Sequence, residues 1–180
     1  MLNRKNVHYE IELYEPMRNW LHYYLQNKYK GYSVITLDSH AERLDRVLAK
    51  YGICIDLAVG VDIQIDVLGI VQKQNEIKIF FIEAKKTALT LRDLGQLWAY
   101  CKLIDPEEAF LFTSMNLGSL DKLLNIFLRE DLLDFGKGKV TKKMKVGIWD
   151  ISSNAPDMFS LIPKLSLIPQ HYYKIFFLST

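Results

Sequence analysis

The stretch from Val61 to Ala84 limits the possible folds more than any other part of the chain. From Val61 to Val71 the residues alternate. Ile63, Ile65, Val67 and Val71 fall on one face, and Asp62, Gln64, Asp66, Leu68 and Ile70 on the other. A period of two is that of a β-strand. Gln72-Lys73-Gln74-Asn75-Glu76 is a polar turn, and Ile77 to Ala84 then runs apolar on both faces, as a strand in the middle of a sheet does. Together they predict a β-hairpin. A turn of even length, such as Gln74-Asn75 alone, pairs Lys73 with Glu76 and carries the register on to Asp66 opposite Glu83.

The flanking periodicities are helical. From about Glu10 to Lys30, Met17, Trp20, Leu21, Tyr24 and Leu25 recur at i, i+3, i+4, the spacing of one apolar helix face. Pro16 suits the first turn, where a missing N–H matters little. Gly31 ends this helix, Tyr32 to Leu37 is a candidate strand, and Leu44, Val47 and Leu48 mark a second helix to Lys50, closed by Gly52. After the hairpin, Thr90 with Asp93 is a form of capping box. It opens a helix with Leu91, Leu94, Trp98 and Cys101 as its core stripe, stopped by Asp105-Pro106. Ala109 to Thr113 is a strand, Leu117 to Leu133 a third helical period and Lys145 to Ile151 a final strand. Tyr172 to Leu178 is a candidate edge strand, and Trp20, Trp98 and Trp149 are candidate core fillers. This order predicts an α/β fold with a mixed central sheet and flanking helices.

Composition agrees with one domain over 1–180, its core about 10–151 and a proline-bearing tail over 152–180. The chain has 180 residues, 49% hydrophobic and 24% charged, which excludes disorder and fibrous repeats. No apolar run reaches the ~18 residues needed to span a bilayer, so no membrane partner is expected. Met1 to Asn6 leads into no apolar signal segment. Cys54 and Cys101 sit in apolar surroundings without CxxC spacing, which predicts buried thiols in a reducing, cytoplasmic compartment. The net charge of +2 is too small to demand a nucleic-acid partner. Lys137, Lys139, Lys142, Lys143 and Lys145, however, form an acid-free run with Gly136 and Gly138. Such a run suits either phosphate contact or an ordinary solvated loop.

The chemistry lies at the end of the apolar strand. Glu83 and Lys85 point to one side and Ala84 to the other. Charges there cost free energy unless paired or metal-bound. The hairpin register sets Asp66 across from Glu83, and opposed carboxylates repel unless a cation lies between them. Mg²⁺ takes hard oxygen ligands of this kind and keeps waters for chemistry. An ammonium at Lys85 can orient such a water or neutralise charge growing on phosphorus. His8, His22, His40 and His171 have no ligand spacing, and phosphate-loop, nucleophile-elbow and zinc motifs are absent.

Ile65-Asp66-Val67-Leu68-Gly69-Ile70, a turn, then Phe81-Ile82-Glu83-Ala84-Lys85 resembles the PD-(D/E)XK nuclease superfamily of restriction endonucleases and RecB-like nucleases. Ile65 stands where the pattern has proline. Gln96 and Tyr100, spaced i, i+4 beside Arg92, look like the QxxxY element of some RecB-like members. The resemblance spans roughly Glu10 to Thr113. It implies a restriction endonuclease-like core and Mg²⁺, with Mn²⁺ as a substitute. Asp66, Glu83 and the Ala84 carbonyl would be metal ligands, Lys85 would activate water, and Gln96 and Tyr100 would brace the site. It also implies a glutamate from the first helix, Glu12 or else Glu15. Asp62 and Gln64 are candidates for an outer shell, and Asp56 is a more distant one. Lys86, Arg92, Lys137, Lys139, Lys142 and Lys143 are the candidate DNA contacts. The expected function is a DNA endonuclease of restriction type working as a homodimer. The alternatives are a repair nuclease on branched or single-stranded DNA, or a catalytically silent nucleic-acid-binding module of the same fold.

Overall fold

Gln74 and Asn75 form a two-residue turn with Gln74 at φ 53°, and Lys73 pairs with Glu76. The structure, a computed structural model, describes residues 7–163. The hairpin strands are β2 (Val67–Lys73) and β3 (Glu76–Lys85), antiparallel in the even-turn register, with Val67 opposite Ile82. Before them come a 3-10 turn (Glu10–Leu13), α1 (Tyr14–Lys28), β1 (Ser33–Asp38) and α2 (Leu44–Ala49). After them come α3 (Leu91–Ile104), β4 (Glu108–Thr113), the short α4 (Ser119–Asp121), β5 (Asp134–Phe135), β6 (Lys142–Lys143), β7 (Lys145–Asp150) and β8 (Ala155–Pro156). Six strands make one mixed sheet in the order β1-β2-β3-β4-β7-β8, while β5 and β6 pair apart from it. β3, β4 and β7 are parallel to one another, and the remaining pairs are antiparallel.

The sheet separates two cores. Met17, Leu21 and Leu25 of α1 pack with Val67, Val71, Phe80, Ile82 and Phe112 on one face. Leu94, Leu97, Cys101 and Ile104 of α3 pack with Leu68, Ile70, Ile79, Phe81 and Leu111 on the other. Gly69 lets α1 lie close on β2. A Cβ there would come 2.9 Å from Leu25 Cδ1 and 3.1 Å from Phe80 Cβ. The capping box of α3 is present: the Thr90 N–H donates to Asp93 Oδ2 at 2.8 Å. Asp105, in the left-handed region at φ 57°, ends the helix.

Several expectations need correction. Val61 to Asp66 is not strand: both ladders of β2 end at Val67, opposite Asp38 and Ile82, and the Ala84 N–H beyond them is taken by the Asp66 side chain, not by a main-chain carbonyl. Ile63 and Ile65 alternate only because they are buried. The core stripe of α3 is Leu94, Leu97, Cys101 and Ile104, while Leu91 and Trp98 are exposed. The Trp98 indole N–H instead donates to the Asp134 carbonyl at 2.9 Å. Leu117 to Leu133 is no single helix. An i→i+5 bond from Phe127 N–H to Lys122 O widens the turn after α4, and Leu128 at φ 54° then turns the chain. Cys101 is buried, but Cys54 is exposed. The last long strand stops at Asp150, and Tyr172 to Leu178 lies outside the described residues. Among the described residues no helix is long and apolar enough to cross a membrane.

Candidate functional site

β3 outruns its antiparallel partner. The β2 ladder ends at Val67–Ile82, whereas β4 follows β3 to Lys85. Beside Glu83-Ala84-Lys85 the sheet edge on the β2 side therefore lacks a strand, and Asp66 occupies it. Asp66 Oδ2 accepts the Ala84 N–H at 2.8 Å, a side chain in the place of a ladder carbonyl. In a strand the N–H and C=O of one residue point the same way, so the Ala84 carbonyl faces the Asp66 side as well. Ser39, just past β1, holds the main chain here. Its N–H donates to the Asp66 carbonyl at 3.0 Å and its hydroxyl to the Ile65 carbonyl at 2.6 Å. The Tyr14 side chain, on the first residue of α1, interacts electrostatically with the Asp66 carboxylate. Burial and that neighbouring carboxylate raise the pKa of Tyr14.

Glu83 is 3% exposed. Its Oε1 accepts from Lys85 Nζ at 2.7 Å and from Gln96 Nε2 at 3.3 Å. Its Oε2 is buried with no partner, a rarity for a native polar atom. Burial first, then the charge of Asp66, push Glu83 up to about 7 against the opposing pull of Lys85. Burial also raises Asp66. Burial disfavours the Lys85 ammonium, but Glu83, Glu10 and Asp66 outweigh it and raise its pKa, so Lys85 stays charged. Two carboxylates that resist ionisation together, and an ammonium that holds its proton, share one end of a strand.

The acid delivered by the first helical segment is Glu10, not Glu12 or Glu15. Glu10 Oε1 lies 3.8 Å from Lys85 Nζ, and its Oε2 accepts the Lys86 N–H at 3.1 Å. Residues 10–13 form a 3-10 turn, in which i and i+3 eclipse, so Glu10 shares the inward face of buried Leu13. Glu12 is turned back to accept the Tyr9 N–H at 2.8 Å, and Glu15 pairs with Arg18. Gln96 links Glu83 to the half-buried Tyr100, whose hydroxyl lies 3.4 Å from Gln96 Nε2. Asp62 and Gln64 are exposed side chains on the connecting loop, and Asp56 meets the Cys54 thiol at 3.9 Å.

The basic candidates divide. Arg92, Lys137 and Lys139 are exposed. Lys86 is exposed too, and its ammonium donates to the His8 carbonyl at 2.9 Å. Lys142 is bound to Asp105 at 3.0 Å and to the Pro106 carbonyl, Lys143 to Asp134 at 2.6 Å, and Lys145 to Glu108. The acid-free run therefore does not form one phosphate-binding stripe, because its acids come from elsewhere in the fold.

Among the described residues no group of three or more His, Cys, Asp and Glu side chains is arranged to enclose a metal ion. Mg²⁺ asks for less: one or two carboxylates, with waters or substrate oxygens for the rest. The bare Oε2 of Glu83, the Asp66 carboxylate and the Ala84 carbonyl are hard oxygen donors that fit it. Sequence reasoning missed Tyr14, Ser39 and Glu10. The signal available for Glu10 was its spacing from Leu13; for Ser39 and Tyr14 there was none, since both act through tertiary contacts. Comparison with family models, with curated proteins and with solved structures finds no match to this chain.

Proposed function

We propose that the chain is a metal-dependent nuclease that hydrolyses DNA phosphodiester bonds on a restriction endonuclease-like core. The observation that carries this reading is the unpartnered, buried Oε2 of Glu83 beside a second carboxylate and a lysine. Asp66, Glu83 and the Ala84 carbonyl would hold Mg²⁺ or Mn²⁺. When bound, that ion supplies Lewis-acid charge to the phosphate and eases deprotonation of water. Lys85, held by Glu83 Oε1, donates to the phosphoryl oxygen on which negative charge builds, or orients the attacking water. Gln96 fixes the rotamer of Glu83, and Tyr100 fixes Gln96. Ser39, Tyr14 and the Ala84 N–H hold Asp66 in place. Cutting both strands of a duplex would take two such sites, as in a homodimer, whereas one copy suffices for a single strand.

The test is incubation of plasmid and oligonucleotide DNA with Mg²⁺ or Mn²⁺, followed by mapping of the ends. Lys85→Ala is expected to slow cleavage by roughly 10²–10³ while Mn²⁺ binding persists. Asp66→Ala is expected to abolish both cleavage and metal binding. Full activity in either variant rejects the assignment.

A further inference from the structure

The turn that brings Glu10 to the site also fixes an aromatic side chain at its edge. Tyr9 is 70% exposed, yet its main chain is anchored. Its N–H donates to Glu12 Oε1 at 2.8 Å, and its carbonyl accepts the Glu12 N–H at 3.1 Å. The neighbouring residues are tied to the end of β3. The Lys86 N–H donates to Glu10 Oε2 at 3.1 Å, and the Lys86 ammonium donates to the His8 carbonyl at 2.9 Å. That ammonium lies 6.0 Å from the centroid of the Tyr9 ring. Glu10, the next residue, reaches to 3.8 Å from Lys85. An open aromatic ring with a cation beside it is thus mounted one residue away from a side chain of the candidate centre.

An exposed ring on an anchored main chain gains most from a flat apolar partner, and every nucleobase presents one. Within a continuous duplex those faces are already covered by neighbouring bases. Only an unpaired base can offer its face to Tyr9, and its phosphate would then find the Lys86 charge close by. We propose that Tyr9 and Lys86 form a stacking platform for an unpaired base beside the scissile position, which makes the substrate class single-stranded or locally opened nucleic acid. The catalytic part of this inference rests on the nuclease reading above; the binding part does not.

The experiment uses the full chain in EDTA and measures fluorescence anisotropy of a labelled oligothymidylate and of a labelled duplex of equal length. Tyr9→Ala is expected to weaken single-strand binding about tenfold and to leave duplex binding unchanged, with Tyr9→Phe restoring the wild-type value. Lys86→Ala is expected to weaken binding of both and to reduce the salt dependence. The proposal is overturned if Tyr9→Ala leaves single-strand affinity intact, if it lowers both affinities equally, or if the wild type binds neither DNA. Cleavage with Mg²⁺ or Mn²⁺ separates the two ideas. Tyr9-dependent binding without cleavage keeps the platform and defeats the nuclease reading, whereas cleavage indifferent to Tyr9 does the opposite.

Discussion

Two buried glutamates on neighbouring strands are treated in opposite ways. Glu108 opens β4, is 8% exposed and faces α1. Its Oε2 accepts from the Tyr24 hydroxyl at 2.8 Å and from Lys28 at 2.7 Å, and its Oε1 accepts from Lys145. Glu83, about 10 Å further along the parallel strands, faces α3. It has donors on Oε1 alone, a bare Oε2 and a second carboxylate nearby. One acid lies between two ammonium groups; the other lies beside an acid. A buried network built for stability fills its lone pairs. A site that must accept a cation or a substrate oxygen leaves one open and tolerates the strain.

The sharpest way to break this contrast is at Glu108. Glu108→Ala leaves Lys145 and Lys28 without their shared carboxylate, and a broken buried ion pair costs about 3–5 kcal/mol. Urea denaturation should register that loss, while Mn²⁺ affinity stays at the wild-type value. Loss of metal binding with intact stability would reverse the roles assigned to the two acids.

Glu83→Gln should do the opposite and stabilise the metal-free protein. The folded pKa of Glu83, about 7, lies above its unfolded value of 4.5. The folded chain therefore holds the extra proton between these values, and its stability falls as pH rises through that window. The full penalty is present above about pH 7 and is absent below about 4.5, and for a shift of this size it is at most about 3 kcal/mol. Denaturation at pH 8 should show the variant more stable than wild type, with the gap closing toward pH 4.5. Mg²⁺ at about 100 times its Kd should stabilise wild type by about 2.7 kcal/mol and the variant hardly at all. A variant less stable at pH 8 would place Glu83 among the structural acids.

The smallest effect tests the satisfied end alone. Tyr24→Phe removes one of three donors to Glu108 and should cost about 1 kcal/mol in thermal unfolding, with cleavage unchanged.

Much of this was legible in the chain because it is local. The hairpin register follows from the parity of a turn, and the start of α3 follows from Thr90 and Asp93. Glu83 and Lys85 share a side because a strand alternates. The errors come where burial, not hydrogen bonding, sets the pattern. Ile63 and Ile65 alternate like a strand while lying in a loop that fills the α3-side core. Leu91 continues the α3 spacing but is exposed. Glu12 and Glu15 are the candidates that the resemblance sets beside Pro16, whereas the 3-10 turn carries Glu10 inward with Leu13. Ser39 and Tyr14 were invisible because their contacts to Asp66 join segments far apart in the sequence. The lysine run misled for the same reason, since Asp105, Asp134 and Glu108 reach it only in the folded chain.

The missing side chain at Gly69 has a mechanical consequence. α1 is a rod of about 22 Å with Tyr14 at one end and Tyr24 and Lys28 toward the other, and residue 69 lies beneath its later turns. A methyl group there would act as a shim, tilting the rod about that point. The grip on Asp66 and the clamp on Glu108 would loosen together, so the two acids, chemically independent, share a single fulcrum.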